Sequence, residues 1–372
     1  MHRPFLSVLL AFSALVSAKA ERDPIRLTHG PMLGHVTHDS VVVWGRTSDP
    51  GQFVVHYGPV PDNLNGISQP ATTLVENDNT GTVTLTKLEP DTRYHYQLWV
   101  NDRPHGLPGT FKTLPSADSV RNEEHNPDGL FNFRFQIGSC ANQNPLHGIG
   151  HQLPTYENLN TDWAGKVNFH IMNGDWLYEE LREYPPEAWR LTQGLEPNAI
   201  PRSVDLMPTV VGVWENYKLY LSRGIELARW HRDVPSYFTF DDHELVNDIW
   251  GAGTAGKRHR RTVFRDIGTY AWYNYLGWAN PTEHDNPVHF SRGVMTKGSD
   301  LLVDTSTDFT QLPLDEMLNL HVHWGTKEAG ANDMRYDNDD GHPNSYVYDI
   351  VKVVDKHTLK LHMPAKFSDQ IS

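Results

Sequence analysis

Between residues 25 and 114 the chain alternates short β-branched and aromatic runs with turn residues. Ser40-Val41-Val42-Val43-Trp44-Gly45-Arg46 and Gln52-Phe53-Val54-Val55-His56-Tyr57 are bounded by Asp, Gly and Pro, the punctuation of strands. Thr82-Val83-Thr84-Leu85 alternates polar and apolar side chains with the period of two that a half-buried strand requires. Gln97-Leu98-Trp99-Val100 and Gly109-Thr110-Phe111-Lys112-Thr113 complete the set. Residues 115–131 are then polar and charged and carry Asn126-Pro127, the chemistry of a linker. Past the linker the period changes. Phe133-Arg134-Phe135-Gln136-Ile137-Gly138 predicts a strand, residues 155–163 a helix, and Val167-Asn168-Phe169-His170-Ile171-Met172 a strand that ends at Gly174-Asp175. Residues 208–223 and 262–276 predict helices, with Tyr237-Phe238-Thr239-Phe240 a strand between them. Towards the C-terminus Leu301-Leu302-Val303-Asp304 reads as a strand. Residues 347–354 and 358–361 read as a hairpin around Asp355-Lys356.

These elements imply an architecture. Leu88-Glu89-Pro90-Asp91-Thr92-Arg93-Tyr94 resembles the tyrosine corner of immunoglobulin-like and fibronectin type III sandwiches, in which a tyrosine hydroxyl bonds back to the chain. The expectation is an N-terminal immunoglobulin/fibronectin III-like β-sandwich over residues 25–114, followed by an α/β, α+β-layered domain over 132–290. A β-rich C-terminal segment over 291–372 reads either as an insertion or as a truncated end. Functional side chains of an open α/β sheet sit on the loops beyond its strand ends.

The first twenty residues bear on the compartment. Arg3 precedes an almost wholly apolar stretch, residues 5–16, and Ala18-Lys19-Ala20 has the small-x-small pattern of a cleavage site. The run is shorter than the ~20 apolar residues that a membrane anchor needs. Residues 1–20 are therefore expected to be a signal peptide and the protein to be secreted or periplasmic, with no transmembrane anchor. A formal charge of −14 over 372 residues argues against the basic surface that binds polyanions, so no specific nucleic-acid partner is expected. A small phosphate ester stays compatible with that charge, because a metal can supply the positive field locally. Cys140 stands alone, which excludes an intrachain disulfide and leaves two readings, a buried small hydrophobe or a metal ligand.

Three segments end predicted strands with potential ligands: Gly138-Ser139-Cys140, Gly174-Asp175-Trp176-Leu177-Tyr178-Glu179, and Phe240-Asp241-Asp242-His243-Glu244. Singly each has a plain structural explanation, as a turn, a helix start or an N-cap. In this order, after a sandwich domain, they resemble the motifs of the alkaline phosphatase D (PhoD-like) family of metallophosphoesterases, over roughly residues 25–290. The resemblance implies metal ligation by Cys140, Asp175, Tyr178 and Asp241, with Asp242 a further ligand. It also implies metal ions, Fe3+ with Ca2+ or other divalent metals. Thiolate and phenolate are anionic donors suited to ferric iron, and a carboxylate such as Asp175 can bridge two metals. The implied reaction is attack of a metal-activated hydroxide on a phosphate ester, with Asp175 and His243 as the catalytic pair. His243 would stabilise developing charge or protonate the leaving oxygen. Asn247 reads equally as a metal or phosphate ligand and as a helix residue.

The family normally adds late His or Asp ligands in a Gly-Asp-x-His segment, and none occurs here. His321-Val322-His323 has ligand spacing without the preceding Gly-Asp, and it reads as a solvated strand face as well. Asp337-Asn338-Asp339-Asp340-Gly341 fails as an EF-hand loop, since Tyr336 and Val347 fall at its first and twelfth positions. No Gly-x-Ser-x-Gly or His-Glu-x-x-His occurs, which argues against a serine hydrolase and a zinc protease. Two functions stand: an exported metal-dependent phosphoesterase (phosphatase or phosphodiesterase), or a catalytically silent extracellular binding protein with a degenerate, truncated phosphoesterase domain.

Overall fold

The computed structural model describes residues 24–145, 150–178, 210–245, 260–281, 293–314, 319–322, 346–366 and 368–371. The signal-like residues 1–20, Glu179, Asn247, His323 and 337–341 lie outside them.

The N-terminal strands are β1 (Leu27–Gly34), β2 (Val41–Thr47), β3 (Gly51–Gly58), β4 (Gly66–Ile67), β5 (Ala71–Thr73), β6 (Thr80–Leu85), β7 (Arg93–Val100) and β8 (Arg103–Lys112). β4, β3, β7 and β8 form one sheet, with β5 also on β3, and β1, β2 and β6 contribute to another. Between them Leu33, Val43, Phe53, Val55, Tyr96, Leu98 and Phe111 make a closed apolar core. The Tyr94 hydroxyl accepts from the Glu89 amide at 2.9 Å, which is the corner that the sequence predicts. The β-sandwich expectation holds.

After a short helix α1 (Ala117–Val120) come β9 (Phe135–Gly138), α2 (Pro154–Asp162), β10 (Phe169–Asn173), α3 (Val210–Arg223), α4 (Ile225–Asp233), β11 (Ser236–Thr239), α5 (Asp242–Leu245) and α6 (Arg260–Tyr275). β9, β10 and β11 are parallel neighbours, so all three C-terminal ends emerge on one edge. Helix α4 is additional to the sequence-based expectation, which stops at Arg223. Gly224 breaks the helical run there, and α4 then buries Leu227, Trp230 and His231.

The two parts share a sheet of order β6-β2-β1-β11-β10-β9, joined where Gly34 of β1 pairs in parallel with Ser236 of β11. Gly34 is required at this junction. A Cβ there would lie 2.5 Å from Ala279 Cβ and 2.7 Å from its Cα, closer than packed atoms allow. Strand β2 shows the consequence of a period of two: Val41 and Val43 enter the sandwich core, while Trp44 enters the aromatic core of the second part. Trp44 stacks on Trp278 at 6.3 Å and donates its indole N–H to the Asn274 carbonyl at 2.8 Å.

A buried polar seam reinforces the junction. Asp78, just before β6, accepts from Arg46 Nε at 3.1 Å and Nη2 at 2.9 Å, from the Tyr275 hydroxyl, and from Lys218 Nζ of α3 at 3.4 Å. Burial pushes the Asp78 carboxyl up, but Lys218 and Arg46 outweigh it and hold the group below its ordinary value.

Strands β12 (Gly293–Met295), β13 (Leu301–Val303), β14 (Asn319–Val322), β15 (Tyr346–Asp355), β16 (Thr358–Leu361) and β17 (Asp369–Ile371) form an antiparallel sheet of order β14-β15-β16-β13-β12-β17. Met295, Leu302, Phe309, Tyr348, Leu359 and Leu361 form its core, and β15–β16 is the expected hairpin. No described helix is long and apolar enough to cross a membrane.

Asp78 generates a prediction about stability. Removing one member of a buried ion pair leaves the other charged and unpaired, so Asp78→Asn should cost about 3–5 kcal/mol in urea unfolding. Because the folded-state value is depressed, Asp78 contributes stability above its unfolded value of about 4 and loses it as pH falls through the lower folded value. The acid limb of the stability curve should therefore be shallower in Asp78→Asn than in the parent.

Candidate metal centre

All three ligand-bearing segments sit at the C-terminal edge of β9, β10 and β11. Their backbones are unusual: Cys140 has φ 60°, Gly174 φ 78° and Asp175 φ 55°. Left-handed backbone at a non-glycine residue costs roughly 1–3 kcal/mol and persists only where the surroundings over-determine it. Gly174 also lies against the third segment, since a Cβ there would stand 2.7 Å from Asp241 Cβ.

Glu244 ties the second of these segments to the third. Its carboxylate is fully buried and accepts four backbone amides: Trp176 N at 2.6 Å and Leu177 N at 3.1 Å on Oε1, Asp241 N at 2.8 Å and Asp175 N at 3.1 Å on Oε2. Burial pushes its carboxyl up to about 7, against the opposing pull of these amides. Because Asp241 precedes α5 and Glu244 is its third residue, the bond to Asp241 N has the reach of a capping box. The sequence does contain that signal, an Asp-x-x-Glu, although it assigns Glu244 no role.

A second support has no local signal. The Trp176 indole donates to His231 Nε2 at 3.0 Å, and the other ring nitrogen lies 2.8 Å from Ser236 Oγ, which donates to the Val234 carbonyl at 3.0 Å. An indole only donates, so Nε2 must accept and Nδ1 carries the proton. Burial, then the neighbouring His170, drives the His231 value well down, which keeps the ring neutral and the relay intact.

These supports present Asp175 to its neighbours. Its Oδ2 accepts from Cys140 Sγ at 3.3 Å and lies 3.5 Å from the Tyr178 hydroxyl, while the Ala141 amide donates to its carbonyl at 2.8 Å. Its Oδ1 is buried without a hydrogen-bond partner among the described residues. Ligand atoms of Asp175, Asp242 and His243 all lie within 4.8 Å of one another. The His243 ring sits 3.9 Å from that of Tyr178, centroid to centroid. Asp241 is exposed and stands outside this group of three; its Oδ1 accepts from the Asp242 amide at 2.9 Å. His321 lies on β14 in the C-terminal sheet.

The electrostatics are those of a site short of positive charge. Burial raises the Asp175 carboxyl; Cys140 and His243 pull it down, and Asp241 and Asp242 push it up again. Tyr178 is raised by burial, then by its bond with Cys140 and by the Asp175 charge. An unpartnered buried oxygen amid carboxylates, a thiol and a phenol fits a cation, with hard oxygen donors and one soft sulfur.

Residues 24–116 match a domain of unknown function (DUF7800), and residues 135–295 match the PhoD-like phosphatase family. That second segment is PhoD-like. A solved structure of PhoD is 18% identical, covering 74% of this chain and 51% of its own, with a TM-score of 0.52. Purple acid phosphatase PPD1 from yellow lupin (Lupinus luteus) seeds is 16% identical, covering 70% of this chain and 42% of its own, with a TM-score of 0.40. At 18% identity the likeness to PhoD is one of fold, and the chain spans about half of that protein's length. No curated protein matches the sequence. The PhoD-like segment contains Cys140, Asp175, Tyr178, Asp241, Asp242, His243 and Glu244, and therefore every element of the centre described above.

Glu244→Gln tests the support. An amide has one accepting oxygen, so two of the four amides would face an N–H2 group. At about 1–3 kcal/mol for each orphaned buried donor, the variant should lose about 2–6 kcal/mol in urea unfolding.

Proposed function

We propose that the protein is an exported metal-dependent phosphoesterase acting on small phosphate esters, a phosphatase or phosphodiesterase. The observation that carries this reading is the buried, unpartnered Asp175 Oδ1 at the meeting point of Cys140, Tyr178, Asp242 and His243. The PhoD-like match over residues 135–295 supports it. Cys140, Asp175, Tyr178 and Asp242 would hold metal, with Asp241 at the exposed side. A thiol and a phenol beside a carboxylate favour Fe3+, and the oxygen donors around them suit Ca2+.

The metal, when bound, supplies Lewis acidity toward phosphoryl oxygens and acidifies water. Asp175 orients the centre: one oxygen is tied to Cys140 and Tyr178, and the other is left for coordination. His243, its ring held over Tyr178, would carry the proton for the leaving oxygen. Glu244 contributes by rigidity, since one carboxylate fixes the backbone of both loops. The proposal includes the signal peptide over residues 1–20, a secreted or periplasmic location, and the division into 25–114, 115–131, 132–290 and 291–372.

Purified protein reconstituted with iron and calcium should bind metal and hydrolyse a chromogenic phosphate ester, and Asp175→Ala should lose both. Replacing His243 by alanine should lower kcat by about 10²–10⁴-fold while leaving metal content largely in place. A visible band from ferric phenolate should vanish in Tyr178→Phe. Reconstituted parent protein with neither metal nor turnover would sink the proposal in favour of a silent binding protein.

A further inference from the structure

The sandwich and the PhoD-like segment enclose a cleft of about 320 Å³, lined by Arg93, Lys112, Phe133, Arg134, Lys166 and Asn168 among others. Its walls are β7 and β8 on one side and the turns leading into β9, β10 and β11 on the other. The three strands are parallel, so this is the edge opposite Asp175. Seven residues of extended chain from Asn168 to Asp175 put the two sites on the order of 20 Å apart.

The charge in this cleft departs from that of the chain. Overall the protein carries −14, but here four cations meet two carboxylates, and both carboxylates are already engaged. Asp91 pairs with Lys112; Asp233 pairs with Arg232 at 2.6 Å and accepts from the Thr110 amide at 3.1 Å. Arg93, Arg134 and Lys166 have no carboxylate within ion-pair distance among the described residues. Arg93 makes a long 3.4 Å bond to the Gly165 carbonyl, and Lys166 Nζ lies 5.7 Å over the Trp163 ring. The backbone that carries Arg134 is also fixed. Arg134 and Asn168 lock together, the Arg134 amide donating to Asn168 Oδ1 at 2.9 Å and the Asn168 amide to the Arg134 carbonyl at 2.7 Å. Beside them Phe133 is 51% exposed, its ring stacked on Phe169 at 5.6 Å.

We infer that this cleft binds a dianionic oxyanion, a phosphate or phosphonate, carried on a flat apolar group. Two guanidinium forks match paired oxygens, the Lys166 ammonium adds a third charge, and the Phe133 ring gives the apolar group a surface. The volume suits a single ring with its oxyanion. The site is built by both parts of the chain and is independent of the metal centre, so it stands whether or not the protein hydrolyses esters.

The test is isothermal titration of the full chain with phenylphosphonate, whose P–C bond phosphoester hydrolysis leaves alone. The Asp175→Ala background removes the contribution of the metal centre. Binding should persist in Asp175→Ala. It should weaken roughly 10- to 100-fold when Arg134→Glu and Lys166→Glu are added, the loss of charge-assisted hydrogen bonds. Both side chains are exposed, so an unchanged unfolding midpoint should accompany that loss. Methylphosphonate should bind more weakly than phenylphosphonate, and Phe133→Ala should level the two. Binding that is absent in Asp175→Ala, or unchanged by the two charge reversals, would overturn the inference.

Discussion

One carboxylate holds the candidate centre in place. Glu244 is buried where an isolated charge is unaffordable, and it is tolerated because four backbone amides from two loops converge on it. The dependence is mutual. The amides of the buried residues Trp176 and Leu177 need an acceptor, and the loop they belong to carries left-handed backbone at Asp175 and Gly174. Without Glu244 the strain has nothing to offset it, and Asp175 has no reason to face Cys140 and Tyr178. The geometry that matters to chemistry is therefore held by a residue that is not itself among the candidate ligands.

The wider scaffold shows the same economy. Strand β2 serves two cores from its two faces, and β1 joins the sheet of the sandwich to the sheet that carries the ligands. The PhoD-like match begins at residue 135, yet strand β11, which leads into Asp241-Asp242-His243, has β1 as its neighbour on one side. The DUF7800 segment thus abuts the start of β11, at the edge opposite the centre. The Asp78 seam and the Trp44 indole tie the same two parts together a second and third time.

Across that shared sheet the two edges differ in chemistry. At the C-terminal ends of the parallel strands, carboxylates gather around a buried oxygen and call for positive charge. At the N-terminal ends, Arg93, Arg134 and Lys166 gather with no carboxylate in ion-pair distance among the described residues and call for negative charge. Parallel strands make this separation possible, because each strand delivers residues of one type to one edge and of another type to the opposite edge.

Much of this was legible along the chain. Alternation with period two marks β6, and β-branched and aromatic runs between turn residues mark β2 and β3. The spacing from Leu88 to Tyr94 announces the corner, because the bond it makes is local. Cys140, Asp175, Tyr178, Asp241, Asp242 and His243 are readable as strand-end residues, and parallel pairing brings those ends to one edge. Even the Glu244 contact to Asp241 follows from an Asp-x-x-Glu at a helix start. Other features depend on contacts between residues far apart in sequence and leave no periodic trace. The pairing of Gly34 with Ser236, the relay from Trp176 to His231, the three remaining bonds of Glu244, and the meeting of Arg93 with Arg134 are of that kind. Sequence alone determined which residue types stand at the ends of which strands, because those are matters of local period and turn chemistry. Only the tertiary structure decided that Asp175, Asp242 and His243 meet while Asp241 stands aside, because side-chain direction is set by the packing that Glu244 anchors.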